Sequence, residues 1–117
     1  TLLASSAASD VYKRQIHDGM YRVVQTHNQF NGLGMAVSGK TGTAEVDYYH
    51  PNHGLFIGYA PSTDPKYAIS VRIANGYTSG NACLIANDIF KYMYNLADKD
   101  SILTGIASTD TSDTSND

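Results

Sequence analysis

The sequence lacks pairs of cysteines and long apolar runs. Its single cysteine, Cys83, excludes an internal disulfide and argues against a cysteine-based metal site. Cys83 lies among apolar residues in a helical pattern, which favours a small buried packing residue over a nucleophile. No run of about 18 apolar residues is present and no signal peptide is recognisable, so the sequence contains no candidate membrane-spanning segment.

Positive charge is also sparse, because 8 Lys and Arg stand against 11 Asp and Glu, for a net charge of −3. Much of the acidic excess lies at the end of the chain, where five Asp and one Lys occur from Asp98 to Asp117. The rest of the chain is nearly neutral, which gives no support for a nucleic-acid or membrane-surface partner. Large apolar residues are missing after Ile106, so we predict that residues 99–117 form a disordered acidic tail.

The beginning of the chain is rich in Ser and Ala. Ala4–Gln15 resembles translated adapter read-through at the edge of assembled sequence, and an ordinary linker is the alternative. We predict that residues 1–15 are a non-native or disordered segment and exclude them from fold reasoning. Residues 16–98 then form one partial domain, of a size at which an isolated hydrophobic core is marginal.

Hydrophobic periodicity divides residues 16–98 into five elements. Apolar residues recur at helical spacing from Ile16 to Val24, and two later segments alternate with the period of two that is typical of β-strands. A short apolar run between these two segments predicts another strand. A polar, glycine-bearing loop follows the first helix, and the segment Pro61–Pro65 predicts a turn. The other predicted elements are strands at Met35–Glu45, Gly54–Ala60 and Tyr67–Ala74 and a helix from Thr78 to Leu96. The segment Thr78–Asn81 contains the candidate N-cap residues of that helix.

The same patterns predict how these elements pack. Leu55–Ile57 is apolar on both faces, so the second strand is predicted to be central and covered on both sides. The short turn after it predicts antiparallel pairing with the third strand. These elements indicate an α+β fold in which an antiparallel sheet is flanked by helices. The last helix is expected to pack through its large apolar stripe, which consists of Ile85, Ile89, Tyr92, Met93 and Leu96.

Residues 34–41 match the phosphate-binding loop pattern G-x-x-x-x-G-K-[ST] letter for letter. That loop requires an apolar strand before it and a helix after it, because the helix N-terminus supplies the backbone amides. Thr26–Leu33 is polar, and Gly42–Tyr48 has no helical period. A P-loop nucleotide binder with Lys40 on the phosphates is therefore a remote alternative.

A second interpretation takes Lys40–Thr43 as a strand that forms one wall of an acyl-transfer site. A strand edge offers an amide for a developing oxyanion, hydroxyls for a carboxylate and a fixed cation. Gly42 would allow a ligand to lie against the backbone as if it were an added strand.

The loop after this strand contains further polar and aromatic candidates. His50 and His53, with Asp47 nearby, have metal-ligating side chains, but an exposed polar loop explains them equally well and we assign no metal. Tyr48 and Tyr49 either line a substrate groove or pack over the end of the sheet, and we favour the packing role.

Five blocks occur in order between Ile16 and Leu96: Asp18–Val24, Val37–Glu45, Gly54–Pro61, Asp64–Val71 and Ala74–Gly76. Together they resemble the C-terminal part of the transpeptidase domain of penicillin-binding proteins, which has the β-lactamase/transpeptidase-like fold. Lys-Thr-Gly alone is a weak signal, whereas the ordered series is specific. The Thr-Ala that follows Lys-Thr-Gly resembles the monofunctional, class B type.

This resemblance implies roles for the residues of the first strand. Lys40 would hydrogen-bond a Ser of a second motif, and the amide of Thr43 would join the oxyanion hole, so both are candidate catalytic residues. Thr41 and Thr43 would hold the carboxylate of a peptidoglycan stem peptide or a β-lactam, and Gly42 would lie in the same substrate-binding segment. The resemblance implies no cofactor.

The family's nucleophile motif, Ser-x-x-Lys, does not occur in this sequence. The resemblance therefore implies a fragment that is inactive without the rest of the transpeptidase domain. Its parent would cross-link stem peptides by serine acylation and bind penicillin covalently. The resemblance further implies a membrane anchor through a missing N-terminal segment and a site on the extracytoplasmic face. The alternative is a non-catalytic, β-lactam-sensing or protein-interaction member of the same fold.

Overall fold

The computed structural model describes residues 2–104. Three helices and three strands follow one another, with a single 3₁₀ turn at Asn28–Phe30 inside the predicted loop. The elements are α1 (Leu2–Gln25), β1 (Ser38–Ala44), β2 (His53–Ala60), β3 (Tyr67–Ile73), α2 (Ser79–Met93) and α3 (Lys99–Ile102).

The sheet has the predicted antiparallel arrangement, with strand order β1-β2-β3 and β2 in the centre. Thr41 of β1 lies opposite Phe56 of β2, which in turn lies opposite Val71 of β3. Because residues opposite each other in such a ladder share a face of the sheet, these three side chains all point towards α2. The prediction of an α+β fold with an antiparallel sheet and flanking helices is confirmed.

Helix α2 packs on this face and closes the core. Phe56 and Phe90 are fully buried, and the ring of Phe30 lies 5.3 Å from that of Phe56. Gly39 and Gly58 lie on either side of the Phe56 ring, so that a Cβ on either glycine would come within 2.4–2.6 Å of that ring. The two glycines therefore leave the space that the largest core side chain occupies.

The opposite face of the sheet is not covered as predicted. Ile57 is 53% exposed, and Lys40 and Arg72 on the same face are also exposed. The prediction that β2 is covered on both sides is thus wrong for the part of the chain that the structure describes. Apolar residues on both faces of a strand allow burial on both sides, but burial also requires other elements that pack on each face.

The prediction of which side of α2 packs on the sheet is also wrong. Thr78 caps the helix as expected, since its Oγ1 accepts a hydrogen bond from the Gly80 N–H at 3.1 Å. The side of α2 that packs on the sheet consists mostly of small residues and includes one aromatic residue. The small side chains allow the helix to lie close to the sheet. The residues buried there are Ser79, Asn81, Ala82, Cys83, Ala86, Asn87 and Phe90, whereas Ile85, Ile89, Tyr92, Met93 and Leu96 are exposed.

The ends of the chain also differ from expectation. Residues 2–15 are helical rather than disordered, because α1 begins at Leu2 and this stretch is rich in Ala and free of Gly and Pro. Whether residues 1–15 are native to the domain stays a prediction. In the expected tail, Lys99–Ile102 forms the short helix α3, and residues 105–117 lie outside the described residues.

Candidate functional site

Strand β1 places the cation of the Lys-Thr-Gly segment and its hydroxyls on opposite faces of the sheet. Lys40 lies opposite Ile57 on the open face, whereas Thr41 and Thr43 point towards α2, as the alternation predicts. Thr41 is buried and Thr43 is half-buried. A ligand that contacts both Lys40 and Thr43 must therefore approach along the edge of β1, where the two faces meet.

Among the described strands β1 pairs only with β2, so its other edge has no strand partner, and α1 packs next to β1. In an antiparallel ladder every second residue of an edge strand directs its N–H and C=O away from the neighbouring strand. The backbone of β1 therefore offers hydrogen-bonding groups to an extended ligand or to another segment of protein.

The Lys40 ammonium lies against its own strand and donates a hydrogen bond to the Thr41 carbonyl oxygen at 2.6 Å. The ion pairs among the described residues join Asp47 to His50, Asp64 to Lys66 and Asp88 to Lys91, and Lys40 belongs to none of them. Lys40 is therefore an exposed side chain that takes part in none of the ion pairs of the described residues.

The two glycines that flank Lys40 have different roles. Gly39 is required by the core, because a Cβ there would lie 2.4 Å from the Phe56 ring. Gly42 has no such constraint, since its Cβ would meet the Leu55 side chain at an ordinary 3.5 Å. The fold itself tolerates a side chain at position 42, so packing within the described residues does not require a glycine there.

Thr43 is linked to the first residue of α2, because its Oγ1 accepts a hydrogen bond from the Ser79 N–H at 3.3 Å. The sequence analysis identified Thr78 and Ser79 only as candidates for a helix cap and did not connect them with the site. They lie more than thirty positions from Thr43, so no local spacing signals the contact. The helical start signal is the only sequence feature that pointed to this region.

The loop between β1 and β2 presents two aromatic side chains to solvent. Tyr48 and Tyr49 are 92% and 89% exposed, so the packing role that we favoured for them is wrong. Asp47 orders the loop, because its Oδ1 accepts hydrogen bonds from the amides of Tyr49 at 2.8 Å and His50 at 2.9 Å. These bonds, with the Tyr49 amide contributing most and the His50 ring next, lower the pKa of the Asp47 carboxyl.

Within residues 2–104 no three His, Cys, Asp or Glu side chains converge as a metal site would require. The phosphate-loop interpretation also lacks its helix, because Thr41–Ala44 continues as strand where the motif needs a helix N-terminus. No helix between residues 2 and 104 is both long and apolar enough to cross a bilayer.

Comparison with known proteins identifies relatives with one function in common. Residues 4–95 match the model of the penicillin-binding protein transpeptidase domain. The peptidoglycan D,D-transpeptidase MrdA of Acinetobacter baumannii is 37% identical, over 48% of this chain and 10% of MrdA. PBP2 from its complex with MreC of Helicobacter pylori has a TM-score of 0.57 and 29% identity, over 68% of this chain and 16% of that one.

Penicillin-binding protein A of M. tuberculosis, in a ceftriaxone acyl-enzyme complex, has a TM-score of 0.52 and 25% identity, over 62% of this chain and 20% of that one. The chain thus spans about a tenth of the length of MrdA and at most a fifth of the two solved chains. Because the family model matches most of the chain, including Lys40–Thr43, we conclude that the protein belongs to the penicillin-binding protein transpeptidase domain family.

Proposed function

We propose that this chain is the C-terminal part of the transpeptidase domain of a peptidoglycan D,D-transpeptidase of class B type. In the parent, the hydroxyl of a serine supplied by the rest of the domain attacks a peptide carbonyl of one stem. The ester forms as the peptide C–N bond breaks, and the terminal residue leaves as an amine that takes up the serine proton. An amine of a second stem then attacks the ester, which forms a new peptide bond and returns a proton to the serine oxygen. A β-lactam forms the same kind of ester and blocks the enzyme. The observation that carries this proposal is that β1, an edge strand without a second strand partner among the described residues, carries Lys40 and Thr43 on its two opposite faces.

Each residue of the segment has a role that follows from its position. Lys40 is an exposed cation outside every ion pair of the described residues, so it is suited to hold a hydroxyl of the second motif and to raise the positive potential of the site. The Thr43 amide is proposed as an oxyanion donor. Thr43, which is half-buried, is proposed to hold the ligand carboxylate, and Gly42 leaves space for the ligand backbone. Thr41 is only 6% exposed, so its position does not support the contact with the carboxylate that the resemblance implies.

Labelling with a fluorescent penicillin tests the proposal. The full-length parent should become covalently labelled, whereas the 117-residue chain should not, because its sequence contains no Ser-x-x-Lys. Lys40→Ala in the parent should slow labelling by about 100-fold, the order found when one preorganised electrostatic group is lost. Thr43→Val keeps the backbone amide and removes only the hydroxyl proposed to hold the carboxylate, so it should slow labelling by about 10-fold, the effect of one hydrogen bond to a charged group.

Two substitutions provide matched controls. Lys66→Ala removes an equally exposed cation that pairs with Asp64 in the turn between β2 and β3, and Thr63→Val changes an exposed threonine of the same turn. Both variants should label at the wild-type rate. Normal labelling of the Lys40 and Thr43 variants would remove the assigned roles, and an unlabelled wild-type parent would overturn the proposed function.

The location of the parent is part of the same proposal. Because its substrate is peptidoglycan, we infer that the site faces outwards from the cytoplasmic membrane and that a segment before this chain anchors the parent in that membrane. Labelling of intact cells with a penicillin that cannot cross the membrane should reach the parent. Labelling that appears only after lysis would contradict this location.

A further inference from the structure

The first turn of α2 contacts the proposed carboxylate-binding residue directly. The Ser79 N–H donates to Thr43 Oγ1 at 3.3 Å, and Ser79 itself is only 1% exposed. The contact joins the first residue of α2 to a strand residue 36 positions earlier. A backbone amide of one element therefore orients a side chain of another, and this amide moves only if the helix moves.

The connection from β3 to α2 is strained in a way that sets the position of this amide. Asn75 and Tyr77 have φ angles of 53° and 66°, in the left-handed region that bulky residues rarely adopt. Hydrogen bonds on both sides hold the connection, since the Tyr77 N–H donates to the Asn52 carbonyl at 2.9 Å and the Asn75 N–H to His53 Nδ1 at 2.9 Å. Such strain persists only where the surrounding structure fixes the backbone.

One residue of strand β2, Gly54, leaves room for the start of α2. Gly54 lies opposite Thr43 in the ladder, and a Cβ on Gly54 would come within 2.4 Å of the Thr78 carbonyl oxygen. Because that contact is with backbone, a side chain at position 54 would push the start of α2 away from the sheet. The glycine thus allows the helix to start close enough for Ser79 to reach Thr43.

The chemistry of this contact suits an anionic ligand. The N-terminus of a helix carries a partial positive charge, which reaches the Thr43 hydroxyl through the Ser79 amide. A hydroxyl that accepts a hydrogen bond at one lone pair has fewer directions left for its own proton and becomes a stronger donor. A hydrogen bond from such a hydroxyl to a carboxylate is charge-assisted and therefore among the stronger kinds.

We propose that Ser79 is a positioning residue of the site, and that its backbone N–H orients the Thr43 hydroxyl towards the carboxylate of the stem peptide or β-lactam. This inference rests on the proposed function, because it specifies how the carboxylate-binding residue of that site is held. The role belongs to the amide and not to the Ser79 side chain, whose Oγ makes no hydrogen bond to the described residues.

Ser79→Pro in the full-length parent tests the inference, because it removes this N–H from a position that accepts proline. Proline is favoured at the first residue of a helix, and Thr78 has the extended conformation, φ −140° and ψ 154°, that a residue before proline adopts. Acylation rate constants are measured for a penicillin with a free carboxylate and for its methyl ester. We expect Ser79→Pro to slow the free acid 5- to 10-fold, about one hydrogen bond, and to leave the ester rate unchanged.

Three comparisons separate positioning from a loss of structure. Lys99→Pro places the same residue at the start of α3, again after an extended residue, and should leave both rates unchanged. Ser79→Ala keeps the amide and should recover the free-acid rate that Ser79→Pro loses. In a Thr43→Val background, Ser79→Pro should cause no further loss. Equal slowing of acid and ester, or no slowing, would overturn the inference.

The amide resonance of Ser79 gives a second measurement on the unmodified residue, independent of how well Ser79→Pro folds. Acylation by the free acid should shift the Ser79 ¹H–¹⁵N resonance, and Thr43→Val should abolish that shift while Thr43→Ser retains it. An unchanged resonance on acylation would overturn the inference alone. A wild-type parent that neither penicillin acylates would overturn the proposed function and this inference together.

Discussion

The two faces of the sheet differ in how much this chain covers them. On one face, α2 packs over Phe56 with small residues, and glycines at 39, 54 and 58 admit the aromatic ring and the start of the helix. On the other face, Ile57 is 53% exposed beside Lys40. The first face is a completed core, and the second exposes Ile57 together with Lys40 and Arg72.

The residues of the proposed site lie on both faces of the sheet. The hydroxyls of Thr41 and Thr43 belong to the completed face, where α2 fixes Thr43 through Ser79. Lys40 belongs to the open face, which in our proposal receives the part of the parent that carries the nucleophile. Substitutions on the two faces should therefore differ in size and in their dependence on the rest of the parent.

The largest effect is expected for Phe56→Ala on the completed face. Phe56 is fully buried, so its loss should lower the free energy of unfolding by about 3–5 kcal/mol. Urea denaturation of the 117-residue chain, followed by far-UV circular dichroism, measures the change. A loss below about 1 kcal/mol would show that this face is not the main core.

A smaller loss is expected for Gly58→Ala, which adds a methyl group to the same face. The new Cβ would lie 2.6 Å from the Phe56 ring and 2.7 Å from the Ser38 carbonyl oxygen, so both must shift. Such overpacking typically costs about 1–3 kcal/mol. Gly42→Ala is the matched control on the other face, because its Cβ meets only ordinary contacts. Equal losses from the two substitutions in urea denaturation would contradict the comparison.

Ile57→Ala tests whether the open face becomes covered in the parent. In the 117-residue chain a half-exposed side chain should contribute little, and the loss should stay below about 1 kcal/mol. In the parent, burial of the same side chain should raise the loss to about 2–5 kcal/mol. Thermal or urea denaturation of both proteins gives the two values. The same small loss in both would mean that the face stays exposed.

The smallest effect on stability is expected in the loop between β1 and β2, which contains Asp47. Because hydrogen bonds lower the pKa of Asp47 below its ordinary value of 3.8, the carboxylate stabilises the loop above that pH and loses this contribution as the pH falls through the lowered pKa. The amide resonances of Tyr49 and His50 should therefore move at a pH below 3.8, and Asp47→Asn should abolish the change. A midpoint at or above 3.8 would contradict this assignment.

Much of the fold followed from local pattern. Alternation located β1 and β3, and the apolar run Leu55–Ile57 located β2, because both patterns depend only on neighbouring residues. The alternation also predicted the opposite faces of Lys40 and Thr41. The ordered blocks led to the correct family. The packing side of α2 was predicted wrongly because both sides of that helix carry apolar residues, and periodicity does not distinguish small residues that admit a close approach from larger ones that face outwards.

The sequence by itself determined the strands, the antiparallel order, the start of α2 and the Lys-Thr-Gly segment, since each depends on spacing within about ten residues. Only the tertiary structure decided which face of the sheet is covered, which of the two glycines beside Lys40 the core requires, and that Ser79 holds Thr43. These features depend on contacts between residues far apart in the chain. Hydrophobic pattern and local conformational preference describe only neighbouring residues, so they do not specify which distant residues come into contact.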